Sequence, residues 1–148
     1  MIRQPNLAWH LSGGTTELLL VRSDGTDIRA EKIGGTSDIS AGQVIDRTGK
    51  LLQLQFPAGK ALDRLAAECN SSDSFKVKLN GLEFSFSGLE NKVAQYHDAG
   101  TSDAQTARYA LLSVCRAVVA ATREALRRYP ALPVLFSGGV ASNSMLRA

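Results

Sequence analysis

The sequence predicts an α/β fold in which a strand-rich start is followed by helices that pack on the sheet. One observation is a glycine turn between the apolar runs at residues 7–9 and 18–21, a pattern typical of strand, tight turn and strand. A second is the apolar run at residues 134–136, which leads into another Ser-Gly-Gly sequence. Open α/β sheets bind ligands at strand ends of this kind.

Length and composition indicate one globular domain. The chain has 148 residues, 44% of them hydrophobic, and a formal net charge of +3. A mildly basic balance is compatible with an anionic partner without identifying one. Cys69 and Cys115 stand in no metal-binding spacing, so we expect reduced thiols in a cytoplasmic protein. No apolar run approaches the ~18 residues of a membrane span and no signal peptide is recognisable, so we expect no membrane partner.

The first three strands are predicted to form an antiparallel meander. Residues 23–27 are typical of a turn and residues 28–33 of a third strand, which Gly34 and Gly35 are expected to end. Further along, residues 75–79 and 82–86 are predicted as short strands around the Asn80-Gly81 turn.

Capping boxes predict where three helices begin, because a cap serine and a Gln or Glu three residues later satisfy each other's backbone N–H groups. These helices are expected to end near Leu52, His97 and Arg128. A fourth helix is predicted to begin at Pro57. The three boxes are Ser40 with Gln43, Ser87 with Glu90, and Ser102 with Gln105.

Several polar positions have both a functional and a structural interpretation. The glycine turn could form an anion-binding nest or be an ordinary hairpin turn. Asp46 could bind a ligand or pair with Lys50 four residues later. Gly59 could admit a ligand near a helix N-terminus or simply be tolerated. The arginines of the longest helix are expected to form a solvated face. The two histidines, 10 and 97, have no metal-ligand spacing, and no nucleophile triad is recognisable.

Five motifs, in order along nearly the whole chain, match one family. The chain resembles the tRNA adenosine threonylcarbamoyltransferases, long known as glycoproteases or O-sialoglycoprotein endopeptidases. The motifs are Ser12-Gly13-Gly14-x-Thr16; Ser40-Ala41-Gly42-x₃-Asp46-x-Thr48-x-Lys50-Leu51-Leu52; Phe56-Pro57-x-Gly59; Phe84-Ser85-Phe86-Ser87-Gly88-Leu89; and Gly138-Gly139-Val140-x₂-Asn143-x₂-Leu146-Arg147.

Two positions depart from the family's pattern. Thr15 stands where the family's first turn has a histidine, and Ala58 replaces the first glycine of a Pro-Gly-Gly motif whose second is Gly59. These departures predict a divergent paralogue, whose substrate is left open.

The resemblance implies one lobe of the actin-like ATPase, or ribonuclease H-like, fold. Family members have two lobes that close over a nucleotide. Residues 1–148 correspond to the second, C-terminal lobe, so we expect a truncated chain that lacks the first lobe and the C-terminal end. The metal-holding histidine pair and a late aspartate of the family would lie in those parts.

The resemblance also implies the ligand-binding residues, which face the phosphate and acyl part of an adenylate in the family. No catalytic residue and no metal ligand is assigned in this chain, whereas ATP or an adenylate and a divalent metal, iron or zinc, are implied for the full-length family. The implied binding residues are His10, Leu11, Ser12, Gly13, Gly14, Thr15, Thr16, Asp46, Gly59, Gly138, Gly139 and Asn143.

Two functions of different classes follow. The first is a nucleotide- or adenylate-binding lobe of a threonylcarbamoyl transferase, inactive when isolated. The second is a nucleotide- or partner-binding module without catalysis, while a peptidase is disfavoured because no zinc-protease motif is present. The expected partners are the missing first lobe, tRNA, the family's partner proteins and a second copy of the fragment.

Overall fold

The structure, a computed structural model, describes the backbone of residues 4–142 and the side chains of residues 4–140. Five strands form one sheet, in the order β4-β3-β2-β1-β5. The elements are β1 (Asn6–Leu11), β2 (Thr16–Asp24), β3 (Asp27–Thr36), α1 (Ala41–Leu51), α2 (Gly59–Ala66), β4 (Glu83–Phe84), α3 (Ser87–Asp98), α4 (Asp103–Arg128), β5 (Val134–Ser137) and a 3₁₀ turn (Gly139–Ser142).

The antiparallel meander predicted from the sequence is confirmed. Strand β2 pairs antiparallel with both β1 and β3, and Leu11 stands opposite Thr16 at the glycine turn. Strand β5 returns parallel to β1, with Leu7 opposite Val134. The two Ser-Gly-Gly sequences therefore follow the ends of neighbouring parallel strands, at one edge of the sheet.

The glycines at the end of the third strand do not break it, as the sequence had suggested. Strand β3 continues to Thr36, beyond both glycines. A Cβ on Gly35 would lie only 2.3 Å from the backbone oxygen of Thr16, and Gly35 has a φ of +124°. The glycine is therefore explained by the close approach of β2 rather than by a chain break.

Two of the three predicted helix caps form. The Ser40 box is complete, since the Gln43 amide donates to Ser40 Oγ (3.1 Å) and the Ser40 amide donates to Gln43 Oε1 (2.8 Å). Ser102 caps α4 by accepting from the Gln105 amide (3.2 Å), but the Gln105 side chain donates to the Tyr96 hydroxyl instead.

The capping box predicted at Ser87 is wrong, because a distant carboxylate takes its place. Asp38, in the loop after β3, accepts the Phe86 amide at 2.9 Å and the Ile39 amide at 2.7 Å. The Ser85 hydroxyl also donates to Asp38. Burial raises the pKa of Asp38, but hydrogen bonds from Ser85, Phe86, Ser87 and Ile39 outweigh it and lower the pKa to about 2.

Residues 75–79 form a loop rather than the predicted strand. The Phe75 amide donates to Ser113 Oγ on α4 at 2.8 Å, so the segment is bound to a helix and not to the sheet. The preceding loop is held by two arginines of α4: Arg108 Nε donates to the Ser71 carbonyl (2.6 Å) and Arg116 donates to the carbonyl of residue 72 (3.0 Å). Arg108 is half-buried, so the solvated interpretation is wrong for this arginine, whereas Arg116 is exposed and holds the loop from the helix surface.

The core lies between one face of the sheet and α4. Trp9 is fully buried there, and its indole N–H donates to Thr122 Oγ1 at 2.8 Å. A second cluster fills the space between α1, α2 and α4, with Ile45, Leu62 and Leu111 among its members. Within residues 4–142, each helix is too short or too polar to cross a bilayer.

We expect Thr122→Val to destabilise the protein by about 1–3 kcal/mol, because it leaves a buried indole donor without an acceptor. Urea denaturation monitored by circular dichroism measures the change. Thr122→Ser is the control, since it keeps the hydroxyl. Equal stability of the two variants would contradict the assigned role of this hydrogen bond.

We expect Asp38→Ala to cost about 1 kcal/mol at pH 7, the usual effect of losing a helix-capping side chain. The carboxyl pKa is depressed in the folded state, from 3.8 to about 2. The stabilisation is therefore present above about pH 4 and is lost as the pH falls towards 2. Denaturation of the wild type and of Asp38→Ala across this pH range, with Asp27→Ala as control, tests this pH dependence. A stability difference that does not change with pH would contradict it.

Candidate functional site

The glycine turn between β1 and β2 is closed by its own groups. The Ser12 amide donates to the Thr15 carbonyl (2.8 Å), and the Thr15 amide donates to Ser12 Oγ (3.1 Å). Within residues 4–142 the amides of Gly13 and Gly14 donate to no protein group. Two adjacent backbone donors are thus left for another acceptor, as in an anion-binding nest.

The N-terminus of α1 is fixed against this turn by two hydrogen bonds. Ser40 Oγ donates to the Gly13 carbonyl at 2.8 Å, and the Ala41 amide donates to Thr16 Oγ1 at 2.7 Å. A Cβ on Gly42 would lie 2.5 Å from Gly13 Cα, so only a glycine allows this approach. The turn and the helix are therefore positioned as one unit.

A cavity of about 660 Å³ opens beside this contact, between the turn, α1, α2 and the residues after β5. That volume is in the range of small-molecule sites. Four of the residues predicted from the sequence meet on its wall: Gly13, Asp46, Gly59 and Gly139. The complete lining is Gly13, Gly42, Ile45, Asp46, Pro57, Gly59, Lys60, Asp63, Gly139 and Val140.

Asp46 is half-buried on α1 and orients the start of α2. Its Oδ1 accepts a hydrogen bond from the Ala58 amide at 3.2 Å. Within residues 4–142, Asp46 forms no ion pair with Lys50, so the alternative that it pairs with the lysine four residues later is not supported. Its remaining acceptor capacity is available to hydroxyl groups in the cavity.

Three of the lining glycines are not explained by packing. A Cβ built on Gly13, Gly59 or Gly139 would meet no atom within 4 Å. A side chain there would project into open space and not into a neighbouring element. The glycines therefore keep the backbone accessible from the cavity.

The other predicted residues lie outside the cavity wall. His10 is exposed, Leu11 is fully buried in the core, and the hydroxyls of Ser12 and Thr16 accept backbone hydrogen bonds. Gly14 and Thr15 belong to the turn but do not line the cavity. Gly138 has a φ of +95° and packs on the Leu11 carbonyl. Asn143 lies outside the described residues.

Two charged lining residues were missed by the sequence analysis. Lys60 and Asp63 lie on α2, one and four residues after Gly59. The i,i+4 relation of Asp63 to Gly59 places both on one helix face, a signal that the sequence did contain. With Asp46, they give the cavity two carboxylates and one ammonium group.

The residues described here do not fit a metal site. Within residues 4–142, no group of three or more His, Cys, Asp or Glu side chains is arranged to hold a metal ion. The divalent metal implied by the resemblance stays a prediction, and no chemical step is derived through it.

We expect Gly42→Ala to destabilise the protein by about 2 kcal/mol, because its methyl group would clash with the backbone of Gly13. Gly88→Ala is the matched control, since that helical glycine has nothing within 4 Å of a built Cβ. The control should be neutral or stabilising by up to about 1 kcal/mol. Thermal denaturation compares them, and equal melting temperatures would contradict the close contact.

Comparison with solved structures identifies the fold. HypF from T. kodakarensis matches with a TM-score of 0.64 at 23% identity, over 83% of this chain and 16% of that one. Component A of the (R)-2-hydroxyglutaryl-CoA dehydratase of Acidaminococcus fermentans matches with a TM-score of 0.59 at 16% identity, over 96% of this chain and 49% of that one. These proteins have the actin-like ATPase fold, and the predicted fold class is confirmed.

Comparison of sequences identifies the family. A tRNA N6-adenosine threonylcarbamoyltransferase of Lacticaseibacillus casei is 38% identical, over 97% of this chain and 44% of the relative. The Streptococcus mutans enzyme of the same name is 35% identical, over 99% of this chain and 45% of the relative. The chain thus spans less than half the length of these relatives.

The family model for TsaD, tRNA N6-adenosine threonylcarbamoyltransferase, matches residues 1–148. With the relatives above, this match confirms the resemblance inferred from the five motifs. The chain belongs to the tRNA N6-adenosine threonylcarbamoyltransferase family.

Proposed function

We propose that the chain is the adenylate-binding lobe of a threonylcarbamoyl transferase that acts on tRNA. The observation that carries this proposal is the convergence of Gly13, Asp46, Gly59 and Gly139 on one cavity. They come from a turn, two helices and the segment after β5, so their meeting does not follow from proximity in the sequence.

The chemistry of the wall suits an adenylate. The bare amides of Gly13 and Gly14 and the ammonium group of Lys60 would hold the phosphate. The carboxylates of Asp46 and Asp63 would accept hydrogen bonds from ribose or threonine hydroxyl groups.

The transfer that we propose forms one bond and breaks one. The N6 amine of a tRNA adenosine attacks the carbamoyl carbon of threonylcarbamoyl-adenylate and forms a C–N bond. The bond from that carbon to the phosphate oxygen breaks, AMP leaves, and the amine loses one proton. This chain's contribution is to bind and orient the adenylate.

We further propose that residues 1–148 alone do not catalyse this transfer. The cavity is partly open to solvent, and a second lobe would exclude water from the reacting group. We propose that a protein with this function acts in the cytoplasm. Its proposed partners are tRNA, a first lobe and the family's partner proteins. Self-association of the fragment is the remaining proposed interaction.

A non-catalytic nucleotide-binding module is the second candidate. It is favoured by Thr15 and Ala58, which depart from the family's pattern in two of the five motifs. Mass spectrometry of tRNA after incubation with this chain, a family first lobe and a threonylcarbamoyl-adenylate donor distinguishes the two. Modified adenosine supports the transferase, whereas nucleotide binding without modification supports the module.

We expect Gly59→Ala to weaken AMP binding by tenfold or more, because its methyl group would occupy the cavity. Stability should be unchanged or higher, since alanine favours the helix by up to about 1 kcal/mol. Asp46→Asn should also weaken binding, by removing a charged acceptor. Isothermal titration with AMP and with a non-hydrolysable threonylcarbamoyl-adenylate analogue, beside a urea denaturation curve, measures both effects.

Gly88→Ala and Asp27→Asn are the matched controls. Gly88 is also in the first turn of a helix with open space around its Cβ, and Asp27 is exposed at the start of β3; neither lines the cavity. Unchanged AMP affinity in Gly59→Ala and Asp46→Asn would return both residues to structural roles and remove the basis of the proposal.

A further inference from the structure

A second cavity, of about 450 Å³, adjoins the first. Gly13 and Asp46 line both. The rest of its wall comes from three residues of α1 and from residues 54 and 56 in the loop that connects α1 to α2. Two neighbouring cavities with common lining residues could hold two molecules side by side.

The α1 side of this cavity is polar and carries two cations. Gln43, Arg47 and Lys50 follow one another at i, i+4 and i+7, which places them on one helix face. The Gln43 oxygen is engaged in the capping box, and Arg47 forms an ion pair with Glu90 at 2.7 Å. Lys50 has no ion pair within residues 4–142. Its charge is therefore available to an anion.

The wall of the second cavity also includes an exposed aromatic ring, that of Phe56. Phe56 is 81% exposed, although its loop is anchored at both ends. The Leu54 amide donates to the Gly49 carbonyl at 2.8 Å, and the Ala58 amide donates to Asp46. The Phe56 ring therefore contributes little to the core, and its faces are open to stacking by a planar ligand.

We propose that the second cavity binds the acceptor, an unpaired nucleotide of an RNA strand. Its base stacks on the Phe56 ring and its backbone phosphate pairs with Lys50. An aromatic ring beside a free cation is the combination with which proteins bind single-stranded nucleic acids. The proposal rests on the proposed function, because the shared wall at Gly13 and Asp46 would bring the exocyclic amine of that base next to the adenylate.

Fluorescence anisotropy with labelled single-stranded oligoadenylate RNA tests this proposal on the chain of residues 1–148. We expect Phe56→Leu, which keeps an apolar side chain but no ring, to weaken RNA binding by roughly five- to a hundredfold. Phe56→Trp should retain binding, and its indole fluorescence should be quenched by the stacked base. Lys50→Gln should weaken binding and reduce the dependence on salt concentration by the equivalent of about one phosphate contact.

Lys92→Gln removes the same charge from an exposed position on α3 outside both cavities and should leave RNA binding unchanged. An RNA duplex should bind more weakly than the single strand, because paired bases cannot stack on the ring. In all four variants and the wild type, affinity for AMP should agree within about twofold, since these side chains lie outside the first cavity.

Three results would overturn the acceptor site. The first is that Phe56→Leu and Lys50→Gln leave RNA affinity unchanged. The second is equal affinity for single-stranded and double-stranded RNA. The third is a wild type that binds AMP but binds no RNA at millimolar concentration. Loss of AMP affinity in Phe56→Leu would also overturn it, because the ring would then serve the first cavity. Conversely, RNA binding that depends on Phe56 and Lys50 without AMP binding would support this site and contradict the proposed adenylate site.

Discussion

The contact between the glycine turn and the first turn of α1 determines the geometry of both cavities. It combines a steric condition, the missing side chain of Gly42, with hydrogen bonds from Ser40 to Gly13 and from the Ala41 amide to Thr16. Because the helix start is fixed, Asp46 emerges between the two cavities about one turn further on. Asp46 in turn accepts the Ala58 amide and sets where α2 begins. The arrangement is a chain of short-range restraints that starts at one backbone contact.

The parts of the fold that the sequence predicted are those with local causes. The β1–β2 turn, the Ser40 capping box and the ends of α4 depend on residues within four positions of one another. The failures have distant causes. Asp38 accepts the Phe86 amide from 48 residues away, and Ser113 holds Phe75 from 38 residues away. A pattern of neighbouring residues contains no signal for such partners.

In the candidate site, too, some of the residues predicted from the sequence meet in the structure and others do not. Motif matching selected Gly13, Asp46, Gly59 and Gly139, and the structure brings these four to one cavity. Motif matching could not distinguish residues whose backbone faces the cavity from residues that only support the cavity wall. It therefore also selected Leu11 and Gly138. Lys60 and Asp63 were detectable from helical phase alone, once Gly59 had been placed at the helix start. Their binding roles stay predictions, since geometry brings residues together without showing what they bind.

The long helix α4 joins the two hydrophobic clusters. It has 26 residues, a length of about 39 Å, and packs on the sheet through Val114 and Val118 while Ala107 and Leu111 belong to the cluster beneath α1 and α2. A single rigid rod shared by two cores transmits any loss of order from one to the other. The sheet and the helices that border the cavities should thus melt as one cooperative unit, and the cavity walls should gain rigidity from α4 residues that line neither cavity.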